Sequence, residues 1–136
     1  MLNGYTYDLA ISYASEQFEY VREFADAMID RGYDVFLDRY ETVRLLSTFL
    51  HEELYSIFRN ESRHVILFIS DEYSTKPHAL WEAKITIARS IFYPGCFTVA
   101  RFSNAQVPCI DESYLYLDTE KFTAMELAEL MSKKLT

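Results

Sequence analysis

The chain has 136 residues, half of them hydrophobic, which suits one sizeable core and a single domain over residues 1–136. Lys and Arg total 13 against 21 Asp and Glu, a formal charge of -8, which argues against a nucleic-acid groove, since counterion release needs clustered cations; a small anion at a helix N-terminus remains compatible with it. Cys96 and Cys109 fall in no metal-ligand spacing and read as reduced thiols. No apolar run approaches a membrane span and Met1 to Asp8 carries no signal-peptide pattern, so the expectation is a cytoplasmic protein with no metal and no membrane contact.

Tyr7 to Tyr13 (YDLAISY) is a short apolar run suited to a strand buried on both faces. Val21, Phe24, Ala25 and Met28 then recur at helical spacing, with Ser15 placed to cap the start and Gly32 where a left-handed residue ends a helix. Asp34 to Leu37 is a second strand, running into the polar stretch Asp38 to Arg44. Leu50, Leu54, Ile57 and Phe58 mark a second amphipathic helix, and His64 to Ser70 (HVILFIS), the most apolar run, is predicted as the central strand. The spacing of Trp81, Ile85, Ala88 and Phe92 predicts a third helix with that stripe inward. Phe97 to Phe102 and Tyr114 to Leu117 are two further strands, and Thr123 to Glu126 is a capping box opening a helix whose core face is Leu127, Met131 and Leu135.

Alternating strands and helices imply an α/β fold: a flavodoxin-like, doubly wound sheet of five parallel strands, order 2-1-3-4-5, with helices on both faces. In that order the helices after strands 1 and 3 leave toward opposite faces, and a crevice opens beyond the strand tips. Tyr13, Ala14 and Ser15, together with Ser70 to Thr75, lie at that crevice, Asp38 to Ser47 borders it, and Glu82 lies near the start of the helix that follows the strand 3 loop. On spacing alone Glu82 is a solvated carboxylate favoured by the helix dipole. Ser12 and Ser15 lack a nucleophile elbow and read as turn or capping residues.

Four blocks in order carry a family likeness: YDLAISYAS at Tyr7 to Ser15, RGYDVFLDRYE at Arg31 to Glu41, FLHEELYSIFRNESRHVILFIS at Phe49 to Ser70, and WEAKITIARS at Trp81 to Ser90. Together they resemble a TIR (Toll/interleukin-1 receptor) domain of the bacterial type. Many members of that family cleave the bond between nicotinamide and ribose in NAD+, using a glutamate in their helix C. The resemblance implies Glu82 as the catalytic residue and NAD+ as substrate, with no prosthetic group. By the same likeness Tyr13, Ala14, Asp38, Arg39, Leu46, His78 and Trp81 line the ligand site. Two departures stand out. His78 occupies the place of a family tryptophan four residues before the glutamate, and Leu45, Leu46, Ser47 and Thr48 replace a common L-W-G-K stretch.

A single carboxylate suffices for such chemistry. Nicotinamide leaves a pyridinium as a neutral molecule, so no general acid is required, and what remains is to steady an oxocarbenium-like centre. The expected function is therefore an NAD+ glycohydrolase or ADP-ribosyl cyclase in bacterial anti-phage signalling. Its activity depends on homotypic association through the BB loop, Asp38 to Ser47, and the helix C region. The alternative is a non-catalytic adaptor acting through the same association. A phosphoacceptor receiver domain shares the strand order but needs an acidic pair after strand 1; Asp71 is the sole nearby acid.

Overall fold

The computed structural model describes residues 4–40 and 50–136. Five parallel strands, β1 (Tyr7–Ser12), β2 (Val35–Phe36), β3 (Ser62–Ile69), β4 (Phe97–Arg101) and β5 (Tyr116–Asp118), form one sheet in the order β2-β1-β3-β4-β5. This is the flavodoxin-like order expected from the sequence. Among the described residues the α-helices are α1 (Phe18–Asp30), α2 (Leu50–Ser56), which runs into a π turn at Ile57–Glu61, α3 (Pro77–Ser90) and α4 (Ala124–Leu135). None of the described helices is long and apolar enough to cross a membrane.

Alternation along the strands divides the core into two layers. Leu9, Ile11, Ile66 and Phe68 face α1 and α4, where they meet Phe24, Met28, Leu127 and Met131. Ala10, Val65, Leu67 and Ile69 face the other side, against Leu54, Phe58, Ala79 and Ala83. Because β3 is covered on both faces, its stretch from Val65 to Ile69 is apolar without interruption, and it is the central strand of the five. Gly32, at φ +93, ends α1 in the left-handed region; its N–H donates to the Ile29 carbonyl at 2.9 Å. At α4 the predicted capping box forms: the Glu126 N–H donates to Thr123 Oγ1 at 3.2 Å, and the Thr123 N–H donates to Glu126 Oε1 at 3.0 Å.

Four local expectations fail, each for a physical reason. Ser15 does not cap α1: it opens a 3-10 turn, Ser15–Gln17, and Gln17 is the N-cap, without a side-chain bond. Leu50 is exposed, because the first turn of α2 lies outside the core and only Leu54, Ile57 and Phe58 enter it. In α3 the predicted stripe is rotated. Ala88 is exposed and Phe92, beyond the helix, is 71% exposed, whereas Ala79, Ala83, Ile85, Thr86 and Arg89 are buried. The inward face of α3 is built from small and polar residues, which hydrophobic periodicity does not detect. Finally, β5 begins at Tyr116, two residues later than expected, and Leu115 is 93% exposed. Of the expected loop contacts, Leu46, with the rest of the stretch from Glu41 to Phe49, lies outside the described residues.

Candidate active site

The switch between β1 and β3 gathers a polar cluster at the strand tips. Ser12, the last residue of β1, pairs in register with Leu67 of the adjacent β3 and is fully buried. A serine there has no water to bond, so it needs protein partners. Its Oγ lies 2.7 Å from Glu82 Oε1, to which it donates when that carboxyl is ionised, and 2.7 Å from the Tyr73 hydroxyl oxygen.

Tyr73 comes from the 3-10 turn Tyr73–Thr75 that follows β3. Its N–H donates to Ser70 Oγ at 3.0 Å, and its hydroxyl donates to the Ala79 carbonyl at 3.0 Å in the first turn of α3. Pro77 opens that helix at a position where its missing N–H costs nothing, and Glu82 follows five residues later. The two loops are also clasped together: Ser70 Oγ donates to Gln17 Oε1 at 2.8 Å, and Gln17 Nε2 donates to Glu72 Oε1 at 2.9 Å.

Glu82 retains some accessible surface, yet protein surrounds its carboxyl densely. Burial pushes its pKa up to about 8; a hydrogen given by Ser12 to the ionised carboxylate opposes the rise, and the charge of Asp38 adds to it. Asp38 sits in the 3-10 turn Asp38–Tyr40 after β2. Its Oδ1 accepts the Tyr13 hydroxyl at 2.7 Å and the Arg39 N–H at 2.8 Å. Tyr13 is held far above the usual phenol range, by burial first and by its bond to Asp38 second. The Arg39 guanidinium lies over the Phe18 ring at 3.9 Å from its centroid. Ala14 is buried beside this group, and its carbonyl accepts the Gln17 N–H at 2.9 Å.

Glu82, Asp38, Tyr13, Ala14 and Arg39 thus come from three different loops or helix starts to one end of the sheet. His78 and Trp81 lie elsewhere on α3. The Trp81 ring packs against His51 of α2 at 4.7 Å between centroids, and His51 meets His78 edge-on at 5.2 Å. Trp81 also lines a cleft of about 330 Å³ with Pro77, Leu80, Lys84, Pro108 and Cys109. Asp71, the acid a receiver domain would need, is exposed and accepts the Ser103 hydroxyl at 2.9 Å.

Sequence reasoning placed Tyr73 at the crevice only as part of the loop Ser70 to Thr75, missed Gln17 and His51, and assigned Ser12 a turn or capping role. Two signals were present: an aromatic residue inside the polar run Asp71 to Lys76, and a serine ending a strand buried on both faces.

Comparison with known proteins gives a consistent answer. A family model described as TIR domain matches residues 9–131. The chain is 33% identical, over 97% of its length, to the 3' cyclic ADP-D-ribose synthase AaTIR of Aquimarina amphilecti, and spans 41% of that relative. Among solved structures, the TIR domain of the Toll-related receptor TRR-2 from Hydra magnipapillata superposes with a TM-score of 0.72 at 18% identity, covering 96% of this chain and 100% of that one. A metazoan TIR-STING receptor from C. gigas gives 0.70 at 14% identity, covering 100% of this chain and 42% of that one. At these identities the two structures speak for the fold alone.

Proposed function

The chain belongs to the TIR domain family, and on that premise we propose that it cleaves the nicotinamide–ribose bond of NAD+, with Glu82 as the catalytic carboxylate. The observation that carries the reading is the Glu82 carboxyl, set at the β1/β3 switch point in a desolvated cluster and hydrogen-bonded to Ser12 at 2.7 Å. Support also comes from the relative named as a cyclic ADP-ribose synthase.

In the proposed reaction the ribose–nitrogen bond breaks and its electron pair leaves with neutral nicotinamide. Ionised Glu82 steadies the positive charge that develops on the sugar, an effect that is stronger in a site depleted of water. Asp38, held by Tyr13 and the Arg39 N–H, adds negative potential on the same side, while Arg39 over Phe18 offers a cation for a phosphate. Attack by water releases ADP-ribose; attack by a nucleophile within the same molecule closes a cyclic product. Residues 1–136 act as one TIR unit, self-association through Asp38 to Ser47 and the helix C region completes the site, and anti-phage signalling in the cytoplasm is the role this chemistry serves. His78 and Trp81, with His51, offer aromatic faces outside the Glu82 cluster.

The test is a chromatographic product profile after concentrated protein is incubated with NAD+, with Glu82→Gln as control. Consumption by the native chain and at least a hundredfold loss in Glu82→Gln is the expected result. If both leave NAD+ intact while forming oligomers, the chain is an adaptor. That second reading draws on Ile91 and Phe92, 75% and 71% exposed directly after α3, as apolar contacts for another copy.

A further inference from the structure

Four polar groups are joined in series from partly exposed Glu82 to the fully buried Ser12 and Tyr73: Glu82, Ser12, Tyr73 and the Ala79 carbonyl. Their three contacts measure 2.7, 2.7 and 3.0 Å, so each has hydrogen-bond length and needs one hydrogen. The two hydroxyls supply only two hydrogens, one from Ser12 and one from Tyr73. With Glu82 ionised, Ser12 gives its hydrogen to the carboxylate, and Tyr73 then serves either Ser12 or Ala79 but not both. One contact is left empty where Ser12 and Tyr73, both 0% exposed, exclude water. With Glu82 neutral the count closes. The carboxyl donates to Ser12, Ser12 donates to Tyr73, and Tyr73 donates to Ala79.

We propose that Ser12 and Tyr73 are positioning residues: by this one-directional chain they hold Glu82 in its neutral form in the empty site, so that arrival of a cationic substrate is what ionises it. The proposal deepens the reading of Glu82 as the catalytic carboxylate and rests on it for its meaning in turnover.

The surroundings act in the same direction. From the turn after β2, the charge of Asp38 disfavours a second anion, and burial does the same, in line with the raised pKa of Glu82. From the loop after β1, Tyr13 spends its hydroxyl hydrogen on Asp38, and Arg39, beside Asp38, lies over Phe18. Cys109, from the loop after β4, acts on Tyr73. A pyridinium brought against the carboxyl reverses the balance: the positive charge stabilises the anion, the Glu82 proton passes to solvent, and Ser12 turns its hydrogen to the carboxylate. An empty site thus carries no reactive anion, and charge appears only beside the ring to be expelled.

The test titrates Glu82 directly. In protein labelled with ¹³C at glutamate side chains, the Glu82 signal is identified by its loss in Glu82→Gln, and its titration is compared in native protein and Tyr73→Phe. Removing the Tyr73 hydroxyl frees the Ser12 hydrogen for the carboxylate, so the Glu82 pKa is expected to fall by about one pH unit or more. On a Ser12→Ala background the Tyr73→Phe change is expected to move nothing, because its route is gone. Native protein, which needs no variant to fold, is expected to show at neutral pH an infrared carbonyl band of a neutral carboxyl that shifts with the label. An unmoved or raised titration in Tyr73→Phe, the same shift on Ser12→Ala, or absence of that band overturns the proposal. NAD+ consumption, scored separately, isolates the enzymatic reading. A shifted titration with NAD+ untouched leaves the chain of hydrogen bonds and removes the catalysis; NAD+ cleavage with an unmoved titration does the reverse.

Discussion

At the residue scale, Glu82 shows how a side chain's surroundings decide its chemistry. Its folded pKa is raised, so folding favours the protonated form. Below the unfolded value near 4.5 both states are neutral and the residue is without effect; as pH climbs from there to about 8 the unfolded chain gains stability by ionising, and the folded chain loses ground. Glu82→Gln is therefore expected to stabilise the fold at pH 8 by on the order of 2 kcal/mol, after allowance for partial exposure, and to be neutral at pH 4. Thermal unfolding at the two pH values measures this; equal shifts at both contradict it. Asp38→Asn removes a charge that raises the Glu82 pKa, so the ascending limb of the pH–activity profile should move to lower pH. Glu82 was placed at the crevice from the sequence by topology and family likeness. Its partners were harder to find. Tyr73 and Ser12 matter through contacts between residues 61 and 70 positions apart, which no local pattern encodes.

Elements were legible where they carry a strong period or a cap. The β3 run, the α1 stripe and the α4 capping box all appear as the sequence suggests. Thr123→Ala is expected to cost about 1 kcal/mol in urea unfolding, the usual worth of an N-cap hydroxyl. The α3 face was misread because Thr86 and Arg89 share the buried side with Ala79, Ala83 and Ile85, so its apolar signal is diluted. Strand β3 holds a second buried polar group. His64 Nε2 and Thr98 Oγ1 are 2.7 Å apart across β3 and β4, and burial, aided by the charges of Lys134, Arg63 and Arg89, holds the imidazole down at about 4. The folded state prefers neutral His64, so its contribution is complete above the unfolded value near 6.5 and is lost as pH falls from there toward 4. His64→Gln should flatten the stability profile across that window. A native and a variant profile of the same slope would show that His64 is not the group responsible.

At the scale of the whole molecule, strand order was recoverable because right-handed crossovers and a single alternation of strands with helices leave few alternatives. A formal charge of -8 means that two copies repel at long range. Self-association is accordingly expected to strengthen as salt rises from about 0.01 to 0.15 M, where the screening length drops from about 30 to 8 Å; light scattering across that range checks it, and weakening with salt would point to paired charges at the contact. On the buried face of α3, Ala79 and Ala83 present only a methyl group each to the core beneath the sheet. A wider residue at 83 acts as a shim, lifting the carboxyl off the strand tip without touching any polar atom. The reach of the Glu82 carboxyl is thus set by the smallest side chains beside it, and Ala83→Val should lengthen the Ser12 contact without removing any hydrogen-bonding group.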